Sequence, residues 1–356
     1  MIRPTLVLSA LVAGLLALAL AAPASAQSKG EVVLYYSADE PIARPVIEAF
    51  EKKTGIKVKG VGDNEAVKAT GLAQRIRAEK DAPRADVFWN SEVLQTIALA
   101  REGLLAPHTS ETADARPERF NDPDDLWHGF AQRARVFVYN PENPPMVTIN
   151  EETRPVRHVR DTFHPVFQDM FVLARPEFGT TRDQIAAMQT LMGPGALQLW
   201  VFQMRKQDLR LVDGNAAVVR AVAMGEAKGG FTDTDDYWAA KREGWPIEMV
   251  YVRFDELNVA GLDVVTPHGP LLIPNTAARI KGGPNPENAA LLMDFLLSAE
   301  VEEMLAKSDS KNIPVRPEVA EKFPELAVPD PAEIDFQQMA DNADEALSTF
   351  YRAYPQ

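Results

Sequence analysis

Cysteine is absent from all 356 residues. Its absence excludes disulfides, thiol nucleophiles and cysteine-ligated zinc, and it removes the residue to which a lipid is attached after a leader peptide. Other chemistries are missing by pattern. The five histidines, His108, His128, His158, His164 and His268, show no HExxH spacing and read as surface or loop residues. There is no GxSxG elbow. Gly60-Val61-Gly62 lacks the third glycine of a dinucleotide fingerprint and reads as a tight turn. Asp233 to Tyr237 lacks the glycine that an EF-hand places at its sixth loop position. Positive charge is scarce too, with 37 Lys and Arg against 51 Asp and Glu and a net charge of −14, which argues against nucleic acid and anionic membranes as partners.

Long apolar runs are limited to one. Leu6 to Ala22 follows Arg3 and precedes Pro23-Ala24-Ser25-Ala26, the layout of a cleavable leader rather than a membrane span. The expected mature chain starts at Gln27, is exported and soluble, and has lost only Arg3 among its charges, so its net charge becomes −15. About 330 residues exceed what one core usually holds, so two domains are expected.

Apolar periodicity then alternates between strand and helix. Glu31 to Tyr36, Ile56 to Gly60 and Asp86 to Trp89 read as strands, each followed by a helical segment: Ile42 to Thr54, Glu65 to Lys80 and Val93 to Glu102. This pattern predicts an open parallel α/β sheet, with polar ligands beyond the strand ends at residues 36–40 and 90–92. Arg133 to Asn140 is a further strand, and residues 146–165 show little pattern. A second α/β unit follows, with helices after Gly179, from Leu197 and after a cap at Asn215, and a strand at Ile247 to Tyr251. Extended chain at 269–277, a helix pair over 286–307 and a last helix near 334–351 complete the chain, the tail being read as a strap over the first unit.

The most informative stretch is Lys228 to Arg242. Two glycines and Phe231 lead into Thr232, Asp233, Thr234, Asp235 and Asp236, and then into a helical run from Tyr237. Helix capping accounts for one or two of these residues. The surplus of carboxylates and hydroxyls suits a binding site for a hard cation or an ammonium group.

Seven segments together resemble ferric-iron-type periplasmic binding proteins of ABC importers: LYYSADEP at 34–41, AFEKKTGIKV at 49–58, RADVFWNSE at 84–92, REGLLAP at 101–107, RARVFVYN at 133–140, GNAAVVRAVAMGEA at 214–227 and the run at 271–298. The resemblance implies a two-lobed α/β fold hinged at two crossovers, near 133–140 and 252–272. Lobe one would comprise 27–135 plus 268–356, and lobe two 136–267. It also implies a periplasmic monomer that binds Fe(III) or a related small polar ligand, performs no chemistry and partners a permease and an ATPase. Asp39 stands at the family's histidine position and Ser91 at its glutamate position, with Glu92 next. Thr234 and Asp235 stand at its paired tyrosines, Tyr237 follows two places later, and so the phenolate pair is missing. The companion anion site matches Gly179, Thr180, Thr181, Asn215 and Thr232.

The expected binding set is therefore Ser37, Asp39, Asn90, Ser91 and Glu92 facing Gly179, Thr180, Thr181, Asn215, Thr232, Asp233, Thr234, Asp235 and Asp236. Candidate ligands for Fe(III) or a divalent cation are Asp39, Glu92, Asp235 and Tyr237, with a companion anion beside it. An organic phosphate or zwitterion is the alternative cargo. A carboxylate-dependent exported hydrolase using Asp39 and Asp235 is the rival class, and a sensor partner built on the same fold is a third reading. Mass spectrometry of the protein recovered from its own host is expected to show a chain beginning at Gln27; a chain retaining residues 1–26 rejects the leader.

Overall fold

The computed structural model describes residues 30–62, 70–110, 115–149, 151–177, 179–257 and 264–355. The expected leader, Phe178 and the start of the helix expected from Glu65 lie outside them. Strands β1 (Glu31–Tyr36), β2 (Lys57–Gly62) and β3 (Val87–Asn90) are linked by helices α1 (Glu40–Thr54) and α2 (Thr70–Ala78), and β1 pairs in parallel with both β2 and β3. Helix α1 ends where Gly55 takes a left-handed φ of 75° and its N–H bonds back to Glu51. Helix α3 (Leu94–Arg101) and the short β4 (Leu105–Ala106) lead towards the long β5 (His128–Tyr139), which begins five residues earlier than alternation from Arg133 predicts. The patternless stretch after it contains a hairpin of β6 (Met146–Ile149) and β7 (Glu152–Pro155).

Next come β8 (Phe171–Ala174), α4 (Gly179–Met192), α5 (Pro194–Lys206), β9 (Arg210–Val212), α6 (Asn215–Ala223), β10 (Gly229–Asp233), α7 (Thr234–Arg242) and β11 (Glu248–Val250). A second small sheet pairs β12 (Glu256–Leu257) with β13 (Val264–Thr266). The chain then returns through β14 (Leu272–Ile280) and ends its described part with α8 (Pro286–Leu296), α9 (Ala299–Lys307), α10 (Pro317–Ala320) and α11 (Phe336–Ala353).

The main sheet has ten strands in the order β2-β1-β3-β14-β5-β10-β8-β9, with β4 on β14 and β11 on β5. It is mixed rather than parallel. The three opening strands run parallel, but β14 lies antiparallel to both β3 and β5, because it re-enters the sheet after the whole excursion from β6 to β13. Strand β5 is shared along its length. Up to Ala134 it pairs with β14, where Leu272 faces Ala134, and from Arg135 it pairs with β10, where Asp233 faces Arg135.

The closing helix corrects a second expectation. Phe336, Met339, Ala343, Ala346, Leu347 and Phe350 recur at helical spacing and are buried, so α11 needs an apolar partner along one whole face. That face meets α4 and α5 as well as α3. Gln189 of α4 donates to Glu345 at 3.0 Å and Asn342 donates to Thr190 at 3.0 Å, while Arg101 of α3 pairs with Asp341 at 2.8 Å. The tail therefore does not belong to the first unit alone.

Two glycines in β10 let the strand pass close to its neighbours. A Cβ on Gly229 would collide with the ring of Phe137, and one on Gly230 would lie 2.5 Å from the Val172 carbonyl oxygen and 2.6 Å from Val218. Phe137, Phe167, Phe171 and Phe231 pack ring against ring beside this strand, with centroids 5.5–6.3 Å apart. Gly230→Ala is expected to cost about 1–3 kcal/mol by overpacking, read as a lower urea midpoint; an unchanged midpoint would mean that the strand has room to shift.

Candidate functional site

The junction of β10 and α7 projects its acidic residues towards one centre. The residue facing Asp233 across the β5–β10 ladder is Arg135, and the two form an ion pair of 2.8 Å with both side chains at most 1% exposed. A buried charge pair needs further hydrogen bonds to offset its desolvation, and this one has them. Arg135 Nη1 also reaches Thr180 Oγ1 at 3.1 Å and Asn215 Oδ1 at 3.2 Å, and its Nε donates to Gln184 Oε1 at 2.8 Å. Asn215 Nδ2 donates to the other Asp233 oxygen at 2.7 Å, and the Thr180 hydroxyl donates to that same oxygen. Asp233 stands at the N-cap of α7 yet makes no side-chain capping bond, so the capping reading fails for it. Asn215 is likewise the first residue of α6 rather than its cap, and its amide is spent on the cluster.

The donors expected to cradle an external anion thus converge on an internal one, the Asp233 carboxylate. Thr181 completes the same patch through Asn215 Oδ1 at 3.4 Å. Gly179 opens α4 with a left-handed φ of 59°. Thr232 donates to Asp236 at 3.3 Å, and Thr234 turns inward, where its hydroxyl accepts the Ala134 N–H at 3.2 Å.

Asp235 and Asp236 are only partly buried. Carboxylate oxygens of Asp233, Asp235 and Asp236 lie within 4.8 Å of one another. Asp235 Oδ2 is 2.9 Å from Arg133 Nη1, whereas its Oδ1 is buried without a hydrogen-bond partner among the described residues. Burial pushes the Asp235 pKa up, Arg133 pulls it down, and the charges of Asp233 and Asp39 leave it raised. Asp236 is raised well above the usual range, first by burial and then by Asp235 and Asp233. Asp39, exposed at the N-cap of α1, lies close enough to enter the electrostatics of Arg133, Asp235 and Asp236. The two strand ends therefore address each other.

The remaining expected residues divide. Ser37, Asn90 and Ser91 form one polar knot, in which Ser37 Oγ donates to Asn90 Oδ1 at 3.0 Å, lies 2.9 Å from Ser91 Oγ and accepts the Ser91 N–H at 2.8 Å. Glu92 makes its contacts away from this cluster. It is buried, accepts the Gln95 N–H at 3.1 Å in the first turn of α3 and the Asn90 amide at 2.9 Å, and lies against Asp183 of α4. Tyr237 is also withdrawn as a ligand. Two residues beyond Asp235 is about 200° around a helix, and its hydroxyl donates to Glu248 at 3.1 Å instead.

The histidine expectation fails at one position. His108 is buried but lies in a loop, whereas His128 is buried in β5 and bonded through both ring nitrogens, to Asn121 at 2.9 Å and the His108 carbonyl at 2.8 Å, with its pKa pushed down by burial to about 4. Arg133, Arg135 and Gln184 touch the acid cluster or its buried ion pair and were missed, while Asp183 lies with Glu92. The signal was present in Arg133-Ala134-Arg135: two like charges on one face of an otherwise apolar strand require acid partners.

Strand ends from both halves of a mixed sheet converge on one polar centre, and this arrangement, with helices on the sheet faces, defines the two-lobed periplasmic-binding-protein fold. The chain belongs to the family described as bacterial extracellular solute-binding protein, whose match spans residues 32–308. It is 24% identical over 308 residues to the major ferric iron-binding protein of Neisseria meningitidis serogroup A, covering 86% of this chain and 87% of that one. Iron-bound HitA from Pseudomonas aeruginosa superposes with a TM-score of 0.73 at 25% identity, over 91% of this chain and 99% of that one. The periplasmic binding protein AfuA from Actinobacillus pleuropneumoniae, with fructose-6-phosphate bound, also gives 0.73, at 22% identity over 91% and 98%. Among the described residues no helix is long and apolar enough to cross a membrane.

Asp183 yields a pH prediction. Burial first, then the charge and hydrogen bond of Glu92, raise its pKa well above the usual range, against the Val93 N–H that donates to it at 3.2 Å. The folded protein therefore retains a proton that an unfolded Asp releases above about 3.9, and stability falls as pH climbs from there towards the raised value. Asp183→Asn is expected to flatten the decline of melting temperature between pH 4 and 8. An unchanged slope would assign the decline to another group.

Proposed function

We propose that this protein is the periplasmic binding component of an ABC importer, that it releases its cargo chemically unchanged, and that the cargo binds through a positive centre at Asp235 and Asp236 with Asp39 opposite. The observation that carries this reading is the gathering of three carboxylates within 4.8 Å, two of them with raised pKa values through burial and mutual repulsion. A cation relieves that repulsion, and all-oxygen donors favour a hard one. Fe(III) is the first cargo to test, since the similar proteins from Neisseria and Pseudomonas are named for ferric iron binding or are iron-bound. An external phosphate is the weaker choice, because Thr180 and Asn215 already serve Asp233. We place the boundary between the lobes at Arg135, where β5 exchanges β14 for β10. Closure would follow from contacts that the cargo makes to both lobes at once, and the closed form would be the one a permease recognises.

The test uses metal-stripped protein titrated with Fe(III) as its citrate complex, with citrate alone as the blank. The double change Asp235→Asn and Asp236→Asn is expected to weaken binding by at least about a hundredfold, roughly 2.8 kcal/mol, in a protein that still folds. Unaltered affinity, or turnover of a bound organic ligand, would overturn the reading.

A further inference from the structure

The two arginines of β5 project from the same face of one strand, yet they are held differently. Arg135 is fully buried and directs Nη1 and Nε to Asp233, Thr180, Asn215 and Gln184, so it is a fixed part of the site's floor, although its Nη2 has no hydrogen-bond partner among the described residues. Arg133 is 13% exposed and has two partners: Asp235 Oδ2 at 2.9 Å from Nη1, and Asn275 Oδ1 at 2.9 Å from Nη2. Its Nε has no hydrogen-bond partner among the described residues. Asn275 lies on β14, so this one guanidinium joins the acid cluster to the neighbouring central strand.

We propose that Arg133 is the resident counter-cation of the site, displaced from Asp235 when a cationic cargo arrives, and that it therefore sets how tightly cargo is held. The proposal rests on the cargo reading given above. By formal charge, Arg135 cancels Asp233, which leaves Asp235 and Asp236 facing the single charge of Arg133. With the guanidinium in place these carboxylates tolerate their proximity in the empty protein. Once it is moved aside, both carboxylates are left to the cargo. The energy of separating Arg133 from Asp235 is subtracted from the binding energy of the cargo and returned when cargo leaves, so the same residue that weakens capture favours release. The Asn275 contact marks where the freed side chain stays anchored.

Full-length mature protein, stripped of metal, would be titrated with Fe(III) citrate in four forms: wild type, Arg133→Gln, Arg133→Lys and Asp235→Asn. Removing the competing charge is expected to tighten binding by about tenfold or more while lowering the melting temperature of the empty protein, because Asp235 is left unpaired. Arg133→Lys keeps the charge without the planar fork that spans Asp235 and Asn275, and is expected to tighten binding by a smaller factor; it also serves if the glutamine variant does not fold. A merely structural arginine would lose affinity and stability together. Weaker or unchanged binding in the folded arginine variants, with Asp235→Asn still abolishing it, overturns the counter-cation role alone and assigns Arg133 to holding an anion or to scaffolding. Unchanged binding in Asp235→Asn overturns the cargo reading itself, and this role with it.

Discussion

The ion pair between Arg135 and Asp233 sits where β5 leaves one strand partner for another, and much of the site depends on it. Neither charge has access to water, and removing one partner would strand the other at a cost of several kcal/mol. The surrounding polar residues are explained by that constraint. Thr180 and Gln184 come from the first turns of α4, Asn215 from the start of α6, and all three serve the buried pair. With Asp233 pinned in this way, the next turn of α7 has little choice of orientation. Asp235 and Asp236 are carried beside Asp233, and Tyr237 is carried towards Glu248.

The same constraint separates the two kinds of acid in the cluster. Asp233 is neutralised by its neighbours and acts as built-in negative charge beneath the site. Asp235 and Asp236 are only partly compensated, and burial together with their mutual repulsion raises their pKa values. Perturbation of this kind is more often found at functional sites than in scaffolding. The chain's family membership agrees with a site placed between strand ends, and the composition of the site is its own.

Much of this was legible in the residues. Alternation and helical spacing located the longer elements but not β4, the β6–β7 hairpin, β12, β13 or α10, and the crowding of Thr232 to Asp236 drew attention to the acid cluster, because a helix start needs far fewer oxygens than that stretch supplies. Strand direction was not legible, since β14 carries the same apolar pattern whether it runs with β3 or against it. A carboxylate just after a strand suits a ligand and a first-turn hydrogen-bond acceptor equally well, and Glu92 makes the second of these contacts, with the Gln95 N–H. The burial of His128 depends on the His108 carbonyl 20 positions away, which no local pattern announces. Arg133 and Arg135 were visible as an anomaly in an apolar strand, and their partners emerged only once β10 was laid beside them.

Helix α11 has a consequence for the order in which the molecule assembles. Its apolar face closes a core begun by α3 and α4, and Arg101 meets Gln337 across 236 positions of sequence. The central ladder is similarly remote, with Ala134 waiting for Leu272. Folding rates fall as contacts become less local, because the loop entropy is spent before the contact repays it. A nascent chain lacking residues beyond 336 has an open apolar trough, and one lacking residues beyond 271 also has an unpaired edge on β5. Such a chain stays incompletely folded until its late segments are present, and it remains threadable for as long as they are missing.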